Sequence, residues 1–309
     1  MGSYYDLRVG GYSILSAKWP IDEVILSLFV EADKVNSLTS PDLPSPCANV
    51  HENDEFIGYR STAAAIADRL DVMGFTPERA KADFLLLLKN EIADELELAE
   101  GWTSRKAEGE IYAGLSADAE DEIRFLSELS FEKWVGAIRR LKKESIRWPG
   151  FNSIKGTYAR ELDSLETHIL NAGRNNEHPH LGFYCSDHRF LVRAFTMCAE
   201  LSDLVVLDCT DLVRAGYFDA GEPVATQARA SITAGARAVE KILVLTEGRS
   251  DTRILEATLE ALYPHLCEFL SFLDHDSFSV PGGAGNLDEP ASRLGWCGRI
   301  EPCPGTIRQ

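Results

Sequence analysis

Basic residues are in short supply: 31 Lys and Arg stand against 49 Asp and Glu, for a formal net charge of −18. Broad, sequence-independent binding to nucleic acid needs basic surface to displace counterions. The balance therefore disfavours it, while leaving room for a local basic track. Long apolar runs are missing too. The longest, Phe84-Leu-Leu-Leu-Leu88, is flanked by charges and falls short of the roughly 18 residues of a membrane span. No basic start followed by an apolar core opens the chain, so no secretory signal is expected. The seven Cys are scattered without a Cys-x-x-Cys. That argues against a zinc site and for a reducing cytoplasm. No Gly-x-x-x-x-Gly-Lys-Ser/Thr occurs, which excludes a P-loop ATPase within these residues. Internal repeats and low-complexity tracts are also lacking.

What is present is enough for two domains and a substantial core: 309 residues, 45% of them hydrophobic. Residues 4–18 read as a β-hairpin around Gly10-Gly11. A helix is expected at 24–35, a Ser/Pro/Asn/Asp-rich loop at 37–55 and a short strand at 56–60. Helices follow at 62–73 and 77–98, the second with Thr76 as N-cap and Pro77 at the first helical position. Phe84 to Leu88 is apolar all round, so that helix is expected inside a helical core. A second loop zone is expected at 100–118, then helices at 119–128, 131–147 and 157–171. A polar loop at 171–185, a helix at 187–201, a strand at 203–208, a loop through Pro223 and a helix at 225–240 complete this part.

The most informative stretch is Lys241-Ile-Leu-Val-Leu-Thr-Glu-Gly-Arg-Ser-Asp251. Ile242 to Leu245 has the apolar, β-branched character of a buried α/β strand. Arg249-Ser250-Asp251 open a helical pattern with Ile254, Leu255, Thr258, Leu259 and Leu262 on one face. Glu247 therefore sits at the carboxyl edge of a strand, with Gly248 expected to supply a sharp turn. Asp251 follows about one helical turn later. Ligands bind at that edge in open α/β sheets, and two nearby carboxylates suit Mg²⁺ or Mn²⁺.

This strand-Glu-Gly-x-x-Asp-helix pattern resembles the first motif of a Toprim domain, the metal-binding fold of primases, topoisomerases and nucleases related to overcoming-lysogenization-defect proteins. Tyr263-Pro-His-Leu266 ends the helix, Phe269 to Asp274 reads as the next strand, and Pro281-Gly-Gly-Ala-Gly-Asn286 matches the glycine turn after it. Three further stretches carry the likeness: Met1-Gly-Ser-Tyr-Tyr-Asp-Leu-Arg-Val-Gly-Gly11, Ser186-Asp-His-Arg-Phe-Leu-Val-Arg193 and Leu204-Val-Val-Leu-Asp-Cys-Thr-Asp-Leu212. Together they resemble the bacterial HEPN/Toprim-associated proteins, in which an N-terminal region precedes a Toprim domain. The resemblance implies a largely helical α+β N-terminal region with short strands over 1–235. A partial α/β, Rossmann-like Toprim domain follows over 236–287, and 288–309 form an irregular tail. A Toprim domain continues with a helix and a strand ending in Asp-x-Asp. Neither pattern occurs in 288–309, so the chain is expected to stop inside the domain through a truncated or frame-shifted reading frame. The tail is expected to be disordered or loosely attached, and the shortened sheet either to make the protein aggregation-prone or to recruit a protein partner over it.

In the resembled families the Glu (here Glu247) serves in acid/base chemistry or metal binding, and the Asp (here Asp251) helps to hold the ion. Acidic residues also favour any helix N-terminus, and Asp251 fits that plainer role well. Asp274 and Asp276, around His275, read as a polar strand end near the site. Gly282, Gly283 and Gly285 either approach phosphate through backbone N–H groups or form a plain turn. Arg174 and His180 offer a loose match to the Arg-x(4–6)-His motif of HEPN ribonucleases, in which Arg steadies phosphate and His serves in acid/base chemistry. Pro179 argues for a loop there. Phe131, Trp134, Val135, Ile138 and Leu141 form one helical stripe. Arg139, Arg140, Lys143 and Arg147 lie opposite it, as a solvated face or as a phosphate-contacting ridge. Asp208 and Asp211 read as a structural turn and Cys209 as packing. Three functions follow as expectations. The first is a Mg²⁺- or Mn²⁺-dependent nuclease of antiviral defence, inactive if its second acidic motif is missing. The second is a non-catalytic interaction or regulatory module, and the third is a metal-independent HEPN-type ribonuclease.

Overall fold

The computed structural model describes residues 3–35, 57–105, 109–146, 160–175, 180–234 and 241–274. The chain divides into two compact units, Met1–Ala236 and Arg237–Gln309. The expected loop at 37–55 lies outside the described residues, as do the glycine turn and the tail. No helix among the described residues is long and apolar enough to cross a membrane.

An antiparallel five-stranded sheet organises the first unit. Strands β1 (Tyr4–Val9) and β2 (Tyr12–Lys18) form the expected hairpin. Gly10 and Gly11 adopt φ of 57° and 80°, the left-handed pair that a tight hairpin turn demands. The helix expected at 24–35 stops early: α1 (Glu23–Leu26) is followed by a 3-10 turn at Glu31–Asp33 and by strand β3 (Lys34–Val35). Asp33 explains the break. Its carboxylate accepts from the Val30 N–H at 3.0 Å and from the Arg69 guanidinium at 2.6 Å. Such bonds compete with helix. Strands β4 (Gly58–Thr62) and β5 (Leu204–Asp208) complete the sheet in the order β2-β1-β5-β4-β3. Tyr5, Leu7, Val9, Tyr59, Val205 and Leu207 are buried in the core, whereas Asp6 and Asp208 pair across strands on the other face.

Helices α2 (Ala63–Val72) and α3 (Pro77–Ser104) start as expected, with Thr62 and Thr76 side chains accepting from Ala65 and Arg79 N–H groups. The second loop zone is wrong. Helix α3 runs on to Ser104, and α4 (Glu110–Glu128) packs back against it. The full burial expected of Phe84 to Leu88 is also wrong: Phe84 and Leu88 are buried, but Leu86 is 58% exposed. Period 3.6 lets only one stripe of the run face the core. Helix α5 (Phe131–Lys143) turns its whole expected stripe inward. Helix α6 (Ser164–Asn175) runs into the expected polar loop at 171–185, and α7 (His188–Thr196) is shorter than expected. Helix α8 (Thr210–Arg214) interrupts the expected loop after β5, and α9 (Val224–Ala234) follows.

Aromatic rings join these helices. Phe183 lies 4.8 Å from Trp134 and 5.0 Å from Phe84 between ring centroids, and the Trp134 indole N–H donates to the Leu181 carbonyl at 2.9 Å. A polar clamp fixes α6 beside α5. Asp163 and Glu166 cap each other's backbone N–H groups at 2.7 and 3.1 Å, a reciprocal capping pair. The fully buried Glu166 carboxylate also takes Arg160 at 2.6 Å and Arg140 at 2.9 Å. Arg160, with Arg140 and against the cost of burial, holds the Glu166 carboxyl down to about 2.

The second unit is a β-α-β arrangement. Strand β6 (Ile242–Thr246), helix α10 (Arg249–Leu262) and strand β7 (Leu270–Asp274) follow in order, and β6 and β7 pair in parallel from Ile242↔Leu270 to Thr246↔Asp274.

Leu88 and Phe84 share one core with Trp134 and Ile138. Leu88→Ala should cost about 2–5 kcal/mol in a chemical melt, as buried leucines do; a loss below about 0.5 kcal/mol would place the core elsewhere. The Glu166 clamp predicts a pH signature. Its carboxyl titrates near 4.5 unfolded and near 2 folded. The stability it adds is complete above the unfolded value and is lost as pH falls towards the folded one. In Glu166→Gln, which has no titrating group there, acid unfolding should depend less steeply on pH between those limits. Parallel acid limbs for the two proteins would remove the clamp from the account.

Candidate functional site

Thr246 builds the turn that presents the carboxylates. Its side chain is buried, and its hydroxyl lies 2.6 Å from the Thr252 hydroxyl and donates to the Leu273 carbonyl at 3.2 Å. One residue thus ties the end of β6 to both α10 and β7. Glu247 follows directly and is exposed. The sharp turn expected of Gly248 is not there. Its φ of −157° is extended backbone that other residues adopt, and a Cβ built on it meets nothing within 4 Å. Gly248 instead acts as N-cap of α10 with no side-chain cap, its carbonyl accepting from Asp251 N at 3.1 Å. Asp251 stands exposed in the first helical turn. Asp274 ends β7 opposite Thr246, so three carboxylates share one edge of the parallel pair. Among the described residues, no group of three or more His, Cys, Asp or Glu side chains is gathered closely enough to hold a metal ion. His275, Asp276, Gly282, Gly283 and Gly285 lie outside the described residues.

The basic ridge of α5 is largely committed to its own chain. Arg139 donates to the Met197 carbonyl at 2.9 Å, and Arg140 engages Asp163 and Glu166. Lys142, beside them, meets Asp203 at 3.0 Å. Lys143 is exposed, and Arg147 lies outside the described residues.

Arg174 belongs to the last turn of α6, while His180 opens a separate 3-10 segment, His180–Gly182. The His180 ring lies 5.1 Å from that of His188. His188 in turn places Nδ1 2.8 Å from Asp22 Oδ2. Burial works against ionisation of Asp22. The bonds from His188 and the Val24 N–H outweigh it and hold the carboxyl below its ordinary range. Sequence reasoning missed this pair, because its members lie 166 positions apart. Asp208 accepts from Thr210 N at the start of α8, and burial pushes its carboxyl up. Cys209 is fully buried and its thiol is pushed up by burial, as packing requires.

The family described as HEPN/Toprim N-terminal domain 1 matches residues 1–240. No curated protein and no solved structure matches the chain. The family's span covers the whole first unit, from the β1–β2 hairpin through α9. On that match the chain belongs to the HEPN/Toprim N-terminal domain 1 family.

Proposed function

We propose that this nuclease-associated chain carries a partial Toprim-like unit that binds Mg²⁺ or Mn²⁺ and acts on a phosphodiester. The supporting observation is the parallel β6–β7 pair with Glu247 directly after β6, Asp251 in the first turn of α10 and Asp274 at the end of β7. Ligands of open α/β sheets gather at that edge. The donor set is all oxygen, which suits hard cations. Mg²⁺ is commonly held by one or two carboxylates and fills its shell with water and phosphate oxygens. When bound, such an ion supplies Lewis-acid polarisation of phosphate and acidification of water. Glu247 would hold the ion or accept the water's proton at a carboxylate oxygen, and Asp251 would hold the ion from the helix side. Thr246 keeps the turn in place from beneath.

A second reading, a non-catalytic interaction or regulatory module in antiviral defence, draws support from the lack of a three-ligand group among the described residues. On that reading the acidic edge is a remnant of the fold rather than a working centre.

Calorimetry with Mn²⁺ separates the two. Wild type should bind weakly and Glu247→Ala should lose that binding; equal affinity in both would remove the site. Plasmid nicking with Mn²⁺ should be slow and should vanish in Glu247→Ala. Binding without nicking favours the regulatory module, and metal-independent RNA cleavage lost in His180→Ala would favour a ribonuclease instead.

A further inference from the structure

Helix α10 buries none of its residues. Ile254 is 64% exposed, Leu262 is 65% exposed, and Leu255 and Tyr263 are exposed as well. Only Thr252 and Leu259 are half-buried. The uncovered side has a definite pattern. Ser250, Ile254, Ala257 and Ala261 recur at i, i+4, i+7 and i+11, which sets them in one seam of small and apolar residues. Along one flank of that seam, at the same spacing, run Arg249, Arg253, Glu256 and Glu260. Both cations lie at the N-terminal end of this flank and both anions at the C-terminal end.

We infer that α10 is a docking surface for a second copy of this chain, with the two α10 helices packed antiparallel about a two-fold axis near Leu255. The charge order selects that occupant. In an antiparallel pair, each flank meets the same flank of the other helix. A two-fold axis near Leu255 sets Arg249 and Arg253 of one copy against Glu260 and Glu256 of the other, twice over by symmetry. Ile254 then faces Ala257, whose small side chain allows close approach. A parallel pair would instead lay this flank against the other one, Asp251, Leu255, Thr258 and Leu262, which offers a single carboxylate to the two arginines and no cation to the two glutamates. The flank is also electrically balanced in a chain whose net charge is −18, so this face escapes the repulsion that the rest of the surface imposes. This inference does not rest on metal binding or nuclease activity.

The test uses the full chain and two charge-swapped variants, Arg249→Glu/Arg253→Glu and Glu256→Arg/Glu260→Arg, in analytical ultracentrifugation. Wild type should be dimeric. Each variant should be monomeric with unchanged helical circular dichroism, because its flank then carries one sign only. An equimolar mixture of the two should recover the dimer, since each supplies the charge the other lacks. A monomeric wild type overturns the inference, and if Ile254→Asp then lowers its unfolding midpoint, the face is covered within the chain. Variants that stay dimeric place the interface elsewhere. Monomeric variants whose mixture stays monomeric exclude the antiparallel charge pairing. The milder pair Arg253→Glu and Glu256→Arg gives the same readout should either double variant lose helix.

Discussion

Strand β5 has to lie between β1 and β4, and the first unit exists only when it does. Residues 204–208 pair with residues 6–9 on one side and 58–62 on the other. Leu207 sits in register with both Leu7 and Tyr59, and all three are buried. Single backbone bonds extend the ladder at both ends, from Gly10 to Leu204, from Ala63 to Asp203 and from Cys209 to Ile57. Everything from α2 to α7 is therefore a long excursion between two neighbouring strands. Closing it costs chain entropy before the sheet contacts return any of it. The aromatic contacts of Phe84, Trp134 and Phe183 compensate by giving the excursion its own core, so the ends that must meet hang from an organised helical layer.

A second constraint is the shortage of cations. Several of the few available are paired inside the fold: Arg69 with Asp33, Arg140 and Arg160 with Glu166, Lys142 with Asp203, Arg189 with Asp187 and Arg193 with Asp71. Arg69 is almost wholly buried, and it also donates to the Leu28 carbonyl. Pairs of this kind add little net stability over apolar packing, but losing one partner strands a buried charge. They fix position. The functional consequence falls on α5. Arg139 and Arg140, which the sequence offers as phosphate contacts, hold α5 to the segment after α7 and to α6.

Local signals in the sequence predicted the structure where the physics is local. The left-handed glycine pair of the first hairpin, Thr76 with Pro77 at the head of α3, and the β-branched run at 204–208 each act within a few residues. The strand-Glu-Gly-x-x-Asp-helix run of the second unit is equally local, and β6, α10 and β7 follow it closely. The misses share a different cause. Residues 100–118 carry Gly101, Gly109 and Gly114 and many charges, so they read as loop, yet most are helical because α3 and α4 support each other. The helix at 24–35 looked continuous until Asp33 met an arginine 36 positions away. The Asp22–His188 pair and the Glu166 clamp are contacts between distant segments, and no spacing rule reaches them.

The second unit carries its two candidate functions on different parts of one helix. Glu247 precedes α10, and Asp251 shares the helix face of Leu255 and Leu262. The charged residues Arg249, Arg253, Glu256 and Glu260 occupy the opposite flank of the Ser250–Ile254–Ala257–Ala261 seam. A parallel β-α-β unit is apolar on both sheet faces and normally has cover on each. Among the described residues of this unit a single helix serves two strands, and the outer side of that helix is exposed. A partner on α10 would shelter the seam while leaving the carboxyl edge of β6 and β7 open, because that edge is built from strand ends rather than from the helix's outer face. The proposed assembly and the proposed metal binding would thereby be separable. Swapping charges on the flank leaves Glu247, Asp251 and Asp274 in place, and removing Glu247 leaves the flank intact. Loss of metal binding in the charge-swapped variants would mean that the acidic edge is completed only when two copies meet.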